Sequence, residues 1–302
     1  MENSSVKTRE DRIYQFIIVF FLSILALCAL LPFLLLLSSS ITDESTLLSK
    51  GYSFIPIEIS FYSYVYLFST NAAKVFRAYG ITFFITIAGT ALSLLIGPML
   101  AWPLSRSDYK RSKILTFMVF FTMLFNGGIV PSYIMWTQIF HIKNTIFALI
   151  FPSLLFNGFY IILYKNYFSS AIHNSLIEAA RIDGAGEFYI YFKIVLPLSL
   201  PIIATIGLMV GIGYWNDWTN SLYYISDTKM YPLQQYLKTI IDNISALSSM
   251  SDSADAAALA AGMPGSSIRM ALAVVGIIPI MVLYPFFQKA FIAGITLGGV
   301  KE

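Results

Sequence analysis

The sequence predicts an all-α, polytopic membrane protein with six transmembrane helices. One reason is composition, because 57% of the 302 residues are hydrophobic and only 12% are charged, whereas a soluble domain carries about 25% charged residues. The mean hydropathy of +0.73 agrees with this. A second reason is the presence of six long apolar stretches, since roughly 20 apolar residues cross the hydrocarbon core as a helix. With so few charges to cover a surface in water, the expected solvent is the bilayer.

The six predicted spans cover residues 13–37, 79–104, 114–139, 145–168, 198–223 and 270–290. A polar N-terminal segment, residues 1–12, precedes the membrane domain, residues 13–302. The first apolar run exceeds the roughly 7–15 residues of a secretory signal core, so we interpret it as a span. The third span contains Asn126-Gly127-Gly128 and Pro131, which predict a broken helix at membrane depth. Such a break either serves helix packing or lines a water-filled path.

The segments between the spans are predicted to hold short helices and turns. Asp43 and Glu44, which follow Ser40 and Thr42, suggest a capped short helix, and residues 61–68 predict an interfacial aromatic helix. A tight turn is expected over residues 140–144. The long segment 225–269 is polar, small and flexible in composition, with room for a short alanine-rich helix.

The distribution of basic residues predicts that both termini are cytoplasmic. The most informative comparison is between two short loops: the basic loop, residues 105–113, carries four basic residues, and residues 140–144 carry one. With the N-terminus inside, the first of these loops and residues 174–197 lie in the cytoplasm.

Composition and motifs exclude most enzyme classes. The chain has no Gly-Lys dipeptide and hence no phosphate-binding P-loop, and no HExxH or GxSxG motif. His141 and His173 both fall at predicted membrane edges, which does not favour a metal site or a catalytic base. Cys28, the single cysteine, excludes an internal disulfide. The net charge of +3 is small and spread out, so nucleic acid is not an expected partner.

Three functions remain open on this evidence: a transport path driven by a separate polypeptide, an ion-coupled secondary carrier of a small polar solute, and a membrane scaffold or receptor. Ion-coupled carriers usually hold ionisable groups or broken helices near mid-membrane, and no span here has an ionisable residue near its centre. The first function is therefore favoured, with the energy source on another chain.

Residues 174–197, here called the polar segment, concentrate charge between two apolar stretches. They include Glu178, Arg181, Asp183 and Glu187. A helix is predicted over residues 175–182, a break at Gly184-Ala185-Gly186, and a second helix over residues 187–193, because glycine accepts the positive φ of a sharp turn. The segment is either a docking element for a partner or an amphipathic interfacial connector.

Several residues of the polar segment resemble the EAA motif of ABC importer permeases. The matching residues are Glu178-Ala179-Ala180, Asp183-Gly184-Ala185 and, near the end of the motif, Val195-Leu196-Pro197. Three further stretches resemble the carbohydrate-uptake branch: Trp215-Asn216-Asp217-Trp218, Gln288-Lys289-Ala290-Phe291 with Gly294, and Gly298-Gly299-Val300-Lys301. The third-span break and the long 225–269 segment are similar to a Gram-positive subgroup associated with polysaccharides and oligosaccharides.

The resemblance implies a type I ABC importer permease fold in which the polar segment forms coupling helices docked on a cytoplasmic ATPase. It implies that these residues couple to the ATPase: Glu178, Ala179, Ala180, Arg181, Asp183, Gly184, Ala185, Glu187 and Pro197. It also implies a second homologous permease subunit, an ATPase dimer that holds the ATP and Mg²⁺, and an extracellular solute-binding lipoprotein. No cofactor is expected on this chain, and the C-terminal tail, residues 298–302, is a candidate second contact with the ATPases.

The resemblance further implies a carbohydrate substrate, an oligosaccharide or polysaccharide fragment, in a bacterial cell membrane. Sugars are bound by aromatic faces together with amide and carboxylate hydrogen bonds. Candidates for the substrate path are Asn126, Asn157, Tyr160, Trp215, Asn216 and Asp217. Helix packing is the alternative role for each of them.

Overall fold

The computed structural model describes residues 9–70, 72–152, 154–249 and 265–299. These residues form helices and turns, with no strand among them apart from an isolated bridge between Thr42 and Ile59. The all-α prediction is thus confirmed for the described part of the chain. The helices group into two compact units, which draw on residues 1–71 with 241–277 and on residues 72–240 with 278–302.

The described helices follow one another along the chain. The N-terminal half contains α1 (Arg9–Ser40), α2 (Glu44–Lys50), α3 (Tyr62–Val65), α4 (Ala72–Ser105), α5 (Ser112–Leu124), α6 (Ile129–Ile134), α7 (Phe147–Ile150) and α8 (Gly158–Ala171). The C-terminal half contains α9 (Asn174–Ile182), α10 (Glu187–Ile190), α11 (Leu196–Leu198), α12 (Leu200–Asn216), α13 (Thr219–Tyr224), α14 (Leu233–Ser249) and α15 (Ser266–Gly299). π-helical turns extend three of them, over Tyr66–Thr70, Met135–Ile139 and Tyr191–Val195.

Two carboxylates organise the first unit. The predicted capped helix is present as α2, and Asp43 is its cap, accepting from the Ser45 backbone N–H at 3.0 Å. The hydrogen bonds from Ser45, chiefly from its hydroxyl, hold the pKa of Asp43 below its usual value. Glu44 accepts from the backbone N–H groups of Ser266 and Ser267, and from the Ser267 hydroxyl, each at 2.7 Å. Since the first N–H groups of a helix lack intrahelical partners, Glu44 satisfies the start of α15.

The second unit is built on α4, which packs against α8 and α12. Its core holds large aromatic side chains, among them the fully buried Tyr164, Phe168 and Tyr214. Gly89 is required by this packing, because a Cβ at that position would lie 2.3 Å from the Tyr214 ring. The Tyr214 hydroxyl donates to the Ile150 carbonyl at 2.7 Å, which satisfies its polar atom inside the core.

Two helices are long and apolar enough to cross a membrane, Arg12–Ser40 and Ala72–Ser105. Two bent pairs raise the number to four if each pair is one span: Ser112–Leu124 with Ile129–Ile139, bent by 112°, and Glu187–Leu198 with Leu200–Asn216, bent by 77°. Among the described residues the structure therefore supplies two to four candidate spans, and the count of six stays a prediction. Residues 1–8 of the predicted cytoplasmic segment lie outside the described residues.

The predicted break in the third span is present, and the fourth span departs from a single helix. α5 ends at Leu124 and α6 begins at Ile129, with Gly128 at φ +84° between them. Within residues 145–168, α7 ends at Ile150 and α8 begins at Gly158. Pro152 has no backbone N–H to continue a helix, which accounts for a break that the apolar pattern did not reveal.

Three further boundaries differ from the sequence-based expectation. The predicted span 198–223 divides at Asp217, between α12 and α13. The segment 225–269 is not merely flexible, because α14 is an amphipathic helix with Leu233 and Leu237 buried. The last helix extends beyond the predicted 270–290 at both ends, and the predicted alanine-rich helix lies largely outside the described residues.

Candidate functional site

The polar segment folds as the predicted helix–turn–helix. α9 ends at Ile182, and the chain turns and re-enters a helix at Glu187. Gly184 has φ +83°, the left-handed conformation that glycine adopts without strain. The Gly184 N–H donates to the Arg181 carbonyl at 3.0 Å and the Ala185 N–H to the Ala180 carbonyl at 2.9 Å. This pair of bonds is a Schellman motif, which terminates the helix at a defined residue.

The inner face of the polar segment is apolar and anchored in the core of the second unit. Ile177, Ile190, Tyr191 and Val195 are buried there. Ala180 and Ala185 also pack against this core. On α9 the buried face is thus centred on Ile177.

The outer face of the polar segment is exposed. The carboxylates of Glu178 and Asp183 are exposed and have no hydrogen-bond or ion-pair partner within the part of the chain that the structure describes. Beside them Ile182 is 85% exposed and Phe188 is 74% exposed. Ala179 and Pro197 are exposed as well. Acidic and apolar groups that face solvent together are typical of a surface that binds a partner.

Four charged side chains connect the polar segment to the basic loop; we call them the four-charge cluster. Its members are Arg106, Asp108, Arg181 and Glu187. Each guanidinium bridges both carboxylates: Arg106 pairs with Asp108 and Glu187, and Arg181 Nη2 lies 3.1 Å from Asp108 Oδ2 and 2.8 Å from Glu187 Oε1. The hydrogen bond from Arg106 holds the pKa of Asp108 below its usual value. The same bond to Asp108 raises the pKa of Arg106.

A groove of about 420 Å³ opens beside the four-charge cluster. Apolar and aromatic side chains line most of it: Met99, Trp102, Pro103, Tyr109, Phe188 and Tyr191. The Arg106 guanidinium lies 5.6 Å from the centroid of the Trp102 ring, and its side chain is only 14% exposed. The guanidinium is therefore held from both sides, by carboxylates and by an aromatic face.

The six candidates for the substrate path lie toward one end of the second unit. Asn126 and Asn157 are exposed and serve the backbone, accepting from the N–H groups of Gly128 at 2.8 Å and Phe159 at 2.9 Å. A Cβ on Gly158 would lie 3.2 Å from the Val119 carbonyl, so the end of α5 meets the start of α8 here. Tyr160 follows in the first turn of α8 and is half-buried.

The other three candidates lie where α12 ends. Trp215 is 3% exposed and packs its ring 5.1 Å from that of Phe83, so it faces α4. Asn216 is exposed and accepts from Gln234 at 3.4 Å. Asp217 accepts from the N–H groups of Thr219 and Asn220 and begins α13.

Sequence reasoning missed Arg106 and Asp108, and it placed Arg181 and Glu187 on the partner-facing surface. In the structure Arg181 and Glu187 form ion pairs within the chain, and their contact with an ATPase stays a prediction. One signal was available: Asp108 is the single acidic residue of the basic loop. An acidic residue in that position can pair with an arginine from another cytoplasmic segment.

Long apolar helices with an exposed polar helix–turn–helix, as in the described part of this chain, are typical of membrane permease components. A family model described as "Binding-protein-dependent transport system inner membrane component" matches residues 93–297. The chain belongs to this family of inner-membrane permeases, which supply the membrane path of ABC importers.

Curated relatives match the chain over nearly its whole length. The polygalacturonan/rhamnogalacturonan transport system permease protein YtcP of Bacillus subtilis (strain 168) is 36% identical over 97% of this chain and 99% of its own. The arabinooligosaccharides transport system permease protein AraQ of Halalkalibacterium halodurans is 27% identical over 98% of this chain and 100% of its own. These relatives are transport permease proteins and not enzymes.

A solved structure matches the fold. It is a bacterial ABC transporter involved in the import of the acidic polysaccharide alginate, with a TM-score of 0.76 and 31% identity. The match covers 95% of this chain and 100% of that chain. The chain therefore has the type I importer permease fold that the sequence resemblance implied, and it is neither a stand-alone ion-coupled carrier nor a scaffold.

Proposed function

We propose that the chain is one of two homologous permease subunits of an ATP-driven importer for an oligosaccharide or polysaccharide fragment. Membership of the permease family and full-length similarity to saccharide permeases support this proposal. In this assembly the ATP and Mg²⁺ lie on a cytoplasmic ATPase dimer, and this chain carries no catalytic residue or cofactor. An extracellular solute-binding lipoprotein delivers the substrate.

The observation that carries the proposal is the exposed turn of the polar segment. Its inner face is fixed in the core, whereas Glu178, Ile182 and Asp183 point away from the chain without partners among the described residues. We assign this outer face to the ATPase. Glu178 accepts a hydrogen bond from a basic group of that subunit, and Gly184 sets the angle at which α9 and α10 present it.

We further propose six spans in a multi-pass arrangement in the bacterial cell membrane, with both termini cytoplasmic. The four-charge cluster supports this topology, because it joins the polar segment to the basic loop, the most positively charged short loop of the chain. Both segments must then lie on one side of the membrane. The positive-inside rule assigns that side to the cytoplasm.

Of the relatives reported above, the two that are more similar to this chain, at 36% and 31% identity, support an acidic saccharide as the substrate class. YtcP is named for polygalacturonan and rhamnogalacturonan, and the solved transporter for the acidic polysaccharide alginate. We place the substrate path at the ends of α8 and α12, where Asn157, Tyr160 and Asn216 remain accessible. Trp215 and Asp217 support the walls of this path, because both are engaged in helix packing and capping.

Copurification with the ATPase tests the proposal. Glu178→Lys and Gly184→Pro are each expected to reach the membrane and to lose the ATPase, since one reverses the docking charge and the other forbids the turn. Lys113→Glu is the matched charge reversal, because Lys113 is exposed in the basic loop and outside the four-charge cluster. ATPase retained by both polar-segment variants would refute the assignment. The substrate class is tested by comparing uptake of a labelled oligogalacturonide with uptake of a labelled neutral oligosaccharide, and faster uptake of the oligogalacturonide is expected.

A further inference from the structure

We propose that Arg106 is a positioning residue that connects the polar segment to α4, so that movement of the docked segment is transmitted along α4 toward the substrate path. This inference rests on the proposed function and adds a specific route for coupling within the chain. It assigns Arg181 and Glu187 to this internal connection, leaving Glu178 and Asp183 as the charges that face the ATPase.

The first step of the argument is the closed geometry of the four-charge cluster. Two positive and two negative groups alternate, and each guanidinium contacts both carboxylates. Arg106 and Asp108 follow α4 directly, whereas Arg181 and Glu187 lie on opposite sides of the turn at Gly184. The cluster therefore joins both helices of the polar segment to one point at the end of α4.

The second step concerns what Arg106 adds to the apolar packing. Ile177 and Ile190 already hold the inner face of the polar segment in the core, so attachment of the segment does not depend on the charges. The groove beside Trp102 and Phe188 leaves about 420 Å³ unfilled on one side of the cluster. Because no side chain of the described residues packs against α10 from the groove, the ion pairs of the four-charge cluster fix the angle of α10 relative to α4. Arginine suits this task because its planar fork binds two carboxylates with defined directions.

The third step is that α4 reaches from the cluster to the proposed substrate path. Along α4, Trp102 meets Phe168 at a ring-centroid distance of 6.2 Å, Gly97 faces Tyr164, and Phe83 meets Trp215 at 5.1 Å. From Phe83 to the end of α4 is about 33 Å at 1.5 Å per residue. One helix thus contacts both the charged end of the unit and the residues beside the substrate path.

The experiment separates coupling from assembly by using the complete importer in liposomes with its binding protein and substrate. For Arg106→Gln we expect normal copurification of the ATPase, because the inner face and Glu178 are intact. Stimulation of ATP hydrolysis by the loaded binding protein is expected to fall about five- to tenfold, in the lower part of the range typical of coupling between sites. Lys110→Gln, which removes an exposed charge from the same loop, should leave stimulation unchanged.

A double-variant cycle tests whether Arg106 acts through the polar segment. Glu187→Gln combined with Arg106→Gln should reduce stimulation no further than the more severe single variant does, because both remove the same connection. Inverting all four charges of the cluster should restore much of the stimulation. Normal stimulation in Arg106→Gln, additive losses in the cycle, or loss of the ATPase from the complex would each overturn the proposal. Loss of the ATPase in Glu178→Lys, by contrast, tests only the docking assignment.

Discussion

The conformation of Gly184 allows a graded test of the polar-segment turn. Gly184 has φ +83°, and a Cβ built there meets no atom within 4 Å. Gly184→Ala therefore introduces backbone strain without a clash, at a cost of about 1–2 kcal/mol. Asn tolerates this conformation better than Ala does, and Pro, with φ fixed near −65°, cannot adopt it. ATPase affinity is expected to be highest with Gly at position 184, lower with Asn and lower still with Ala, and the Gly184→Pro variant should not bind.

The expected loss of ATPase affinity equals this strain if the docked complex requires a positive φ at position 184. A strain of about 1–2 kcal/mol weakens binding about five- to thirtyfold, which titration of detergent-solubilised permease with purified ATPase can measure. Gly186→Ala is the matched control. Gly186 is also exposed, also meets no atom within 4 Å of a built Cβ, and has φ −75°. Equal affinities for Gly184→Ala and Gly186→Ala would refute the requirement for a positive φ.

Three other predictions concern stability and pH. Gly89→Ala should lower the free energy of unfolding in detergent by about 1–3 kcal/mol, the usual cost of overpacking, because the added Cβ would overlap the Tyr214 ring. Glu44→Ala should cost about 1–3 kcal/mol by leaving two N–H groups of α15 without their acceptor. The pKa of Asp108 is lowered by Arg106, so its stabilising contribution is present above its ordinary value of 3.8 and lost as pH falls below it. The stability difference between wild type and Asp108→Asn should therefore stay constant from pH 8 to pH 5 and vanish in stronger acid.

Each of these predictions has a matched control. Gly80→Ala lies on the same helix as Gly89 with no atom within 4 Å of its Cβ, so equal losses of stability at both positions would contradict the packing argument. Lys50→Ala removes an exposed charge from the same helix as Glu44 and should be nearly neutral. If the stability difference between wild type and Asp108→Asn changed between pH 8 and pH 5, titration of a group other than Asp108 would determine the stability of the four-charge cluster.

The sequence predicted the polar segment closely because its structure is determined locally. Gly184 supplies a positive φ, and helix-forming residues precede and follow it, so the helix–turn–helix needs no distant contact. The same holds for the cap at Asp43 and for the break at Gly128, where short polar side chains and glycine act within a few residues.

Residues whose environment depends on distant parts of the chain were predicted less well. Trp215 is a candidate from composition, but its ring is covered by α4, more than a hundred residues earlier. The helix α14 was missed because its apolar residues are spaced among many polar ones, and its burial depends on contacts such as the Thr82 hydroxyl, which accepts from the Leu233 N–H at 2.8 Å. Proline at position 152 was visible, but the long apolar pattern around it favoured one span.

The four-charge cluster shows why a motif alone does not assign the role of each of its residues. Within the motif, Glu178 and Arg181 are three positions apart, and the resemblance implies ATPase coupling for both. The structure separates them, because Arg181 is satisfied by Asp108 and Glu187 whereas the Glu178 carboxylate faces solvent. Nη2 of Arg181 already contacts two carboxylates, whereas the Glu178 carboxylate is free to pair with a basic group of another protein. Under the proposed function, this difference favours docking at Glu178 and transmission through Arg181, so that one short segment would contact the ATPase on one side and its own chain on the other.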